Sequence, residues 1–206
     1  MTADFALFQI ATAIFAITGV LGAARQNMDV MSFVIIGVVT AIGGGTIRDI
    51  TLNAPVFWLA DQTFLYVAAG AAVATFFFEQ RFRTTYKVFL YLDALATAVF
   101  AVMATEKTLA LGFGNGVAVV MGVITGIGGG IVRDLLTDVP TLLSRRELYM
   151  TPILVGVLLY VTALSSDHTN SATLAPIAMI VISAFRIGAI RLGWGFPDWL
   201  TYKPLR

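Results

Sequence analysis

Two stretches of this chain set charge beside bare backbone inside otherwise apolar runs: Thr40 to Asp49 reads TAIGGGTIRD, and Thr125 to Asp134 reads TGIGGGIVRD. The chemistry such residues can do is ion handling. Gly43, Gly44 and Gly45, with Gly128, Gly129 and Gly130, each give up about 1 kcal/mol of helix propensity relative to alanine, so the triplets are expected to kink or unwind their helices. Carbonyls released there must meet protein, water or an ion. The carbonyl end of a half-helix suits a cation, and the amide end suits an anion. Arg48 and Asp49, and likewise Arg133 and Asp134, are costly in the same place, because a charge in hydrocarbon costs at least about 2.5 to 3.5 kcal/mol.

Neighbouring residues point in different directions on a helix, so each motif arginine and aspartate is expected to find its partner on another helix. Asp93 is the lone charge of an apolar run, Val88 to Thr105, and lies near the same end as Arg133; these two are expected to pair. Two plainer readings compete. The small residues, Gly122 and Gly126 at GxxxG spacing included, pack helices closely, and the arginines snorkel to headgroups.

The elements that must position these residues are membrane helices. Of 206 residues 58% are hydrophobic and 12% charged, with a mean hydropathy of +0.88; a soluble domain carries about 25% charged residues. Runs of spanning length fall at Phe5 to Ala24, Val30 to Ile47, Gln62 to Phe78, Val88 to Thr105, Leu111 to Val132, Leu148 to Leu164 and Thr173 to Ile190, followed by an amphipathic tail. The first run has no basic leader before it and reads as a span. Trp58, Tyr149, Trp194 and Trp199 fall near span ends as interfacial anchors, and Arg186 and Arg191 read as snorkelling residues open to anionic lipid.

The two motifs stand in one constant register: the offset that carries Thr40 onto Thr125 also aligns Pro55 with Pro140 and Ala11–Ala16 with Ala96–Ala101. The fold expected is therefore an all-α integral membrane protein of seven transmembrane helices within one domain, 1–206. One three-helix repeat covers about 5–80, a second about 88–165, and an unpaired seventh helix about 173–190. Three spans is an odd number, so the second copy enters from the opposite side and the halves are inverted, with the functional site between them. Eleven of thirteen lysines and arginines fall on one side and only Arg48 and Lys107 on the other, which puts the N-terminus outside and the C-terminus in the cytoplasm. The halves differ at one telling position, since Phe8 stands where the second has Asp93; the second copy is the candidate gate.

Several classes are excluded. The chain has no cysteine and a single histidine, His168, in a polar loop run. No nucleophile, base and acid set or metal cluster suggests an enzyme, no cofactor is implied, and no basic soluble segment suits nucleic acid.

The doubled Gly-Gly-Gly-x-x-Arg-Asp at Gly43–Asp49 and Gly128–Asp134, within a three, three and one arrangement, resembles the prokaryotic members of the trimeric intracellular cation (TRIC) channel family. The resemblance implies a homotrimer in the inner (plasma) membrane of a prokaryotic cell, with one pore per protomer and the second and fifth spans kinked at their triplets. It implies conduction of monovalent cations, potassium first and sodium second, with membrane lipids as neighbours. The Gly, Arg and Asp residues of both motifs then belong to the pore region, to which the pairing reading adds Asp93. The Lys-Glu-Val signature of the animal members is absent, so their phosphoinositide and calcium-store roles are not carried over. A small-solute carrier, for glycine or another amino acid, is the alternative, because bacterial relatives also bear that description.

Overall fold

The computed structural model describes residues 3–24, 26–82, 85–144, 147–165 and 170–200; His168 lies outside them. The regular elements among these residues are helical: α1 (Ala3–Ala23), α2 (Val30–Thr51), the short α3 (Phe57–Ala60), α4 (Thr63–Phe82), α5 (Tyr86–Ala110), α6 (Asn115–Leu136), α7 (Met150–Leu164) and α8 (Ser171–Leu192). Five of them, α1, α2, α5, α6 and α8, are long and apolar enough to cross a membrane, while α4 and α7 supply shorter apolar stretches, Thr63–Glu79 and Met150–Leu164. At the usual helical rise α7 is only about 22 Å long, short of the roughly 30 Å hydrocarbon core.

Helix ends follow local chemistry. Asp29 caps α2 by accepting from the Ser32 N–H at 2.8 Å, and this bond holds its carboxyl below the usual carboxylate range. Asp61, just before α4, accepts from the Thr63 hydroxyl and N–H, with the same effect on its carboxyl. Asn170 caps α8, which closes on Gly193 at φ 64°, a left-handed position that glycine adopts without strain.

At the centre, α2 packs on α6 and α1 on α5. Helix α4 covers α1 and α2, α7 covers α5 and α6, and α8 lies against α5 and α7. The apolar core is correspondingly divided. Phe15, Phe57, Phe64 and Phe100 fill the space around α1, α3 and α4, while Leu90, Val102, Ile153, Val157 and Ile182 fill that between α5, α7 and α8. Large apolar side chains such as Ile35, Phe77, Leu159 and Ile180 point outward, the surface a lipid-embedded bundle requires.

Candidate functional site

Glycine brings the two motif helices together. A Cβ added to Gly44 would lie 2.2 Å from the Thr125 carbonyl oxygen, and one added to Gly129 would lie 2.2 Å from the Thr40 carbonyl oxygen. Only bare Cα atoms permit that approach, in which Cα–H groups face carbonyls across the crossing. Thr40 meets Gly129 while Thr125 meets Gly44, so α2 and α6 run antiparallel, and the Arg–Asp pairs that end them lie on opposite sides of the crossing. The unwinding expected at the triplets does not occur: α2 and α6 are α-helical from end to end. Each helix keeps its own backbone bonds, and its glycines serve as the contact surface. The three glycines of a triplet are not equivalent, for a Cβ on Gly43 would meet open space and one on Gly45 the Phe57 ring.

The two helices end alike. The N–H groups of Leu52 and Thr137 donate to the carbonyls of Arg48 and Arg133. Asn53 and Asp138 follow with φ of 51° and 50°, a left-handed conformation that Asn and Asp tolerate. Asp49 Oδ2 then accepts from the Phe57 N–H and Asp134 Oδ2 from the Leu142 N–H, both at 2.9 Å. Every one of these pairs keeps the register that carries Thr40 onto Thr125.

The expectation that each motif residue finds its partner on another helix holds for Arg133 and Asp49, which also reach α5, and is corrected for Arg48 and Asp134, which form their ion pair with the neighbouring residue. Arg48 Nε donates to Asp49 Oδ1 at 2.7 Å, and Arg133 Nε to Asp134 Oδ1 at 2.8 Å. The divergence of neighbouring Cβ atoms is real, but a long arginine stem curves around the helix once the following loop has pinned the carboxylate. An aspartate at a helix C-terminus opposes the macrodipole, and the guanidinium and loop N–H offset that cost. Snorkelling is also ruled out, since Arg48 is 1% exposed and Arg133 0%.

At the second motif the cross-helix pair also forms, with Arg133 Nη1 donating to Asp93 Oδ1 at 2.9 Å and to the Thr18 hydroxyl at 3.3 Å. Arg186 joins from α8, its Nη2 at 3.4 Å from Asp93 Oδ2 and its Nη1 donating to the Leu148 carbonyl. Arg186 is therefore buried rather than snorkelling, and Tyr149 is buried rather than an interfacial anchor; the Arg186 guanidinium stacks over its ring at 4.3 Å. Sequence reasoning missed this role, although the signal was present: a charge inside the last apolar run, the same cue that marked Asp93. Trp58 too has a specific partner, its indole N–H donating to Thr46 at 2.9 Å.

The first motif is built differently. Phe8, the counterpart of Asp93, packs against Phe57, Phe64 and Phe100. Arg48 Nη2, like Arg133 Nη2 at the second motif, is buried without a hydrogen-bond partner among the described residues. Asp49 Oδ1 instead takes a second cation, Lys107 Nζ from α5, at 2.8 Å. Lys107 is 31% exposed, so this bond is screened. Lys107→Met is expected to cost less than about 1 kcal/mol, read as a small drop in the melting temperature of the purified protein, because Arg48 and the Phe57 N–H still hold Asp49.

This arrangement defines a class: an all-α membrane protein whose two central antiparallel helices repeat one glycine and Arg–Asp motif. A family profile described as glycine transporter matches residues 5–80 and 90–165. The UPF0126 inner membrane protein YadS of Escherichia coli K12 is 40% identical over 184 residues, 88% of this chain and 89% of that protein. The UPF0126 membrane protein YvgT of Bacillus subtilis is 31% identical over 147 residues, 70% and 73% of the two chains. Among solved structures, the TRIC channel orthologue from Rhodobacter sphaeroides is 36% identical with a TM-score of 0.88, covering 94% of this chain and all of that one. A TRIC cation channel solved to explain conductance is 28% identical with a TM-score of 0.86, covering 100% and 99%. The chain belongs to the glycine transporter (UPF0126) family and shares the fold of the prokaryotic TRIC channels.

Proposed function

We propose that this protein is a monovalent cation channel, not an enzyme, that prefers potassium and works as a homotrimer with one pathway per protomer. The pathway runs between the two halves, where α2 and α6 cross, and the Gly, Arg and Asp residues of both motifs with Asp93 line or shape it. Seven spans form two inverted three-helix repeats and a seventh helix, with the N-terminus outside the inner membrane and the C-terminus in the cytoplasm. The observation that carries this reading is the same buried Arg–Asp device at the two opposite ends of one antiparallel helix crossing. Packing alone needs the glycines, not four buried charges. Buried polar atoms without protein partners among the described residues, on Gln9, Thr97 and Thr125, add groups that water or an ion would satisfy.

The test is single-channel recording of the purified protein in planar bilayers under a potassium chloride gradient. Unitary currents reversing towards the potassium equilibrium potential are expected. The family description favours a second reading, a glycine carrier rocking its inverted halves; saturable glycine counterflow with no unitary current would establish that instead. Orientation is checked separately in intact cells and inverted inner-membrane vesicles, where the absence of native cysteine makes single-cysteine labelling clean. A single cysteine at Asn27 is expected to be labelled only from the cytoplasmic side, and one at the exposed Gly114, where a Cβ meets open space, only from outside.

A further inference from the structure

The chain leaves α8 in a way that hydropathy alone does not explain. Gly193 turns it in the left-handed conformation, and the Trp194 N–H folds back onto the Ala189 carbonyl at 3.0 Å. The Trp194 carbonyl then accepts from the Leu148 N–H at 3.0 Å, and Gly195 bridges to Glu147. Residues 193–200 are therefore fastened to the strand that enters α7 and do not simply trail from the helix. Yet their large apolar side chains face outward: Trp194 and Phe196 are half-exposed, and Trp199 is 80% exposed. Helix α8 has 22 residues, about 33 Å at the usual rise. That length crosses the roughly 30 Å hydrocarbon core and sets residues 193–200 at headgroup level.

The charge beside this surface is mostly positive. Arg191, exposed at the end of α8, holds its guanidinium over the Tyr91 ring of α5 at 5.6 Å. Lys87 is exposed one turn before Tyr91, on the same face of α5. The sequence sets Arg145 and Arg146 beside Glu147 and adds Lys203 and Arg206 beyond Leu200, so cations outnumber the carboxylates of these segments, Glu147 and Asp198. Exposed aromatic rings among basic side chains at the end of a span match acyl chains under a layer of anionic phosphates.

We propose that residues 193–200, with Arg191 and Lys87, form a docking face for anionic phospholipid headgroups, on the cytoplasmic leaflet in the orientation proposed above. Leu148 ties this face to the buried charges. Its N–H holds the Trp194 carbonyl, while its own carbonyl accepts from Arg186, which reaches Asp93. The face rests on the reading above only for its side of the membrane, so lipid contact and not current tests it.

Tryptophan fluorescence reports this contact. Trp58 lies beside the first motif, bonded to Thr46, so Trp58→Phe leaves Trp194 and Trp199 as the reporters. The full-length variant is reconstituted in one equimolar mixture of phosphatidylcholine and phosphatidylglycerol, with bromine near the headgroup end of the chains of one lipid or of the other. At low salt, brominated phosphatidylglycerol is expected to quench about twice as strongly as brominated phosphatidylcholine, and high salt is expected to bring the two together. Adding Lys87→Gln and Arg191→Gln is expected to equalise the lipids even at low salt, while quenching by phosphatidylcholine persists. Equal quenching by both lipids before those changes overturns the proposal and leaves an ordinary aromatic anchor. Quenching by neither overturns it too, and means that a second copy or another protein covers the face. An undiminished preference in the glutamine variant overturns the assignment to Lys87 and Arg191. Unitary currents without a lipid preference would remove the docking face and leave the channel, whereas a lipid preference without currents would do the reverse.

Discussion

Replacing Asp93 by asparagine is expected to be among the most damaging single changes in this protein, costing about 3 to 5 kcal/mol and leaving little monodisperse material on size-exclusion chromatography. The carboxylate is fully buried and is the shared acceptor for two guanidiniums from different helices, Arg133 on α6 and Arg186 on α8. Asparagine keeps the shape and removes the charge, so both arginines remain buried with less compensation than their desolvation requires. The arginines are expected to rank below it, and unequally. Arg186→Met should be the milder, because its bond to Asp93 is long, at 3.4 Å, and Asp93 keeps Arg133 at 2.9 Å. Arg133→Met strips a partner from both Asp93 and Asp134. Melting curves of the three variants in one detergent check the order. An Asp93→Asn protein that melts with the wild type would show that this cluster does not hold α5, α6 and α8 together.

Alanine at Gly44 or Gly129 is expected to disrupt the molecule, whereas alanine at Gly43 is expected to be tolerated. At Gly44 and Gly129 the new methyl would sit 2.2 Å from a backbone carbonyl of the facing helix. A backbone atom cannot rotate away, so α2 and α6 must separate, and overpacking of this kind costs about 1 to 3 kcal/mol or more. At Gly43 the methyl would enter open space and gain up to about 1 kcal/mol of helix propensity. Gly128 and Gly130 fall between, with contacts of 3.2 Å to the Gly44 Cα and 2.9 Å to the Tyr149 hydroxyl. Melting temperature and unitary current measured together separate the roles. Loss of both at Gly44 and Gly129, with neither lost at Gly43, fits close approach as the function of the triplet. Equal loss at all three positions would mean that backbone flexibility, and not contact, is what the glycines supply.

The long helices were legible in the sequence, and so was the Arg133–Asp93 pair, because a lone buried charge at matching depth leaves few candidates. The short α3 was not, as a single helical turn carries no periodicity. Nor was the contact between Lys107 and Asp49, although Lys107 stood out as one of two basic residues on the sparse side. Its partner depended on how closely α5 approaches the end of α2, which no spacing along the chain reports.

By itself the sequence determined that this is a helical membrane protein with one motif written twice in constant register. Hydropathy and spacing are local properties, and a bilayer leaves few structures that satisfy an apolar backbone. Only the tertiary structure decided what the motif's parts do. It turned glycines that looked like breaks into the surface where unbroken helices meet. It folded each arginine back onto its own neighbouring aspartate, and it brought a lysine to one end of the crossing and a second arginine to the other. These outcomes turn on ångström-scale distances between segments far apart in the chain, and on which way a long side chain swings once its surroundings are filled.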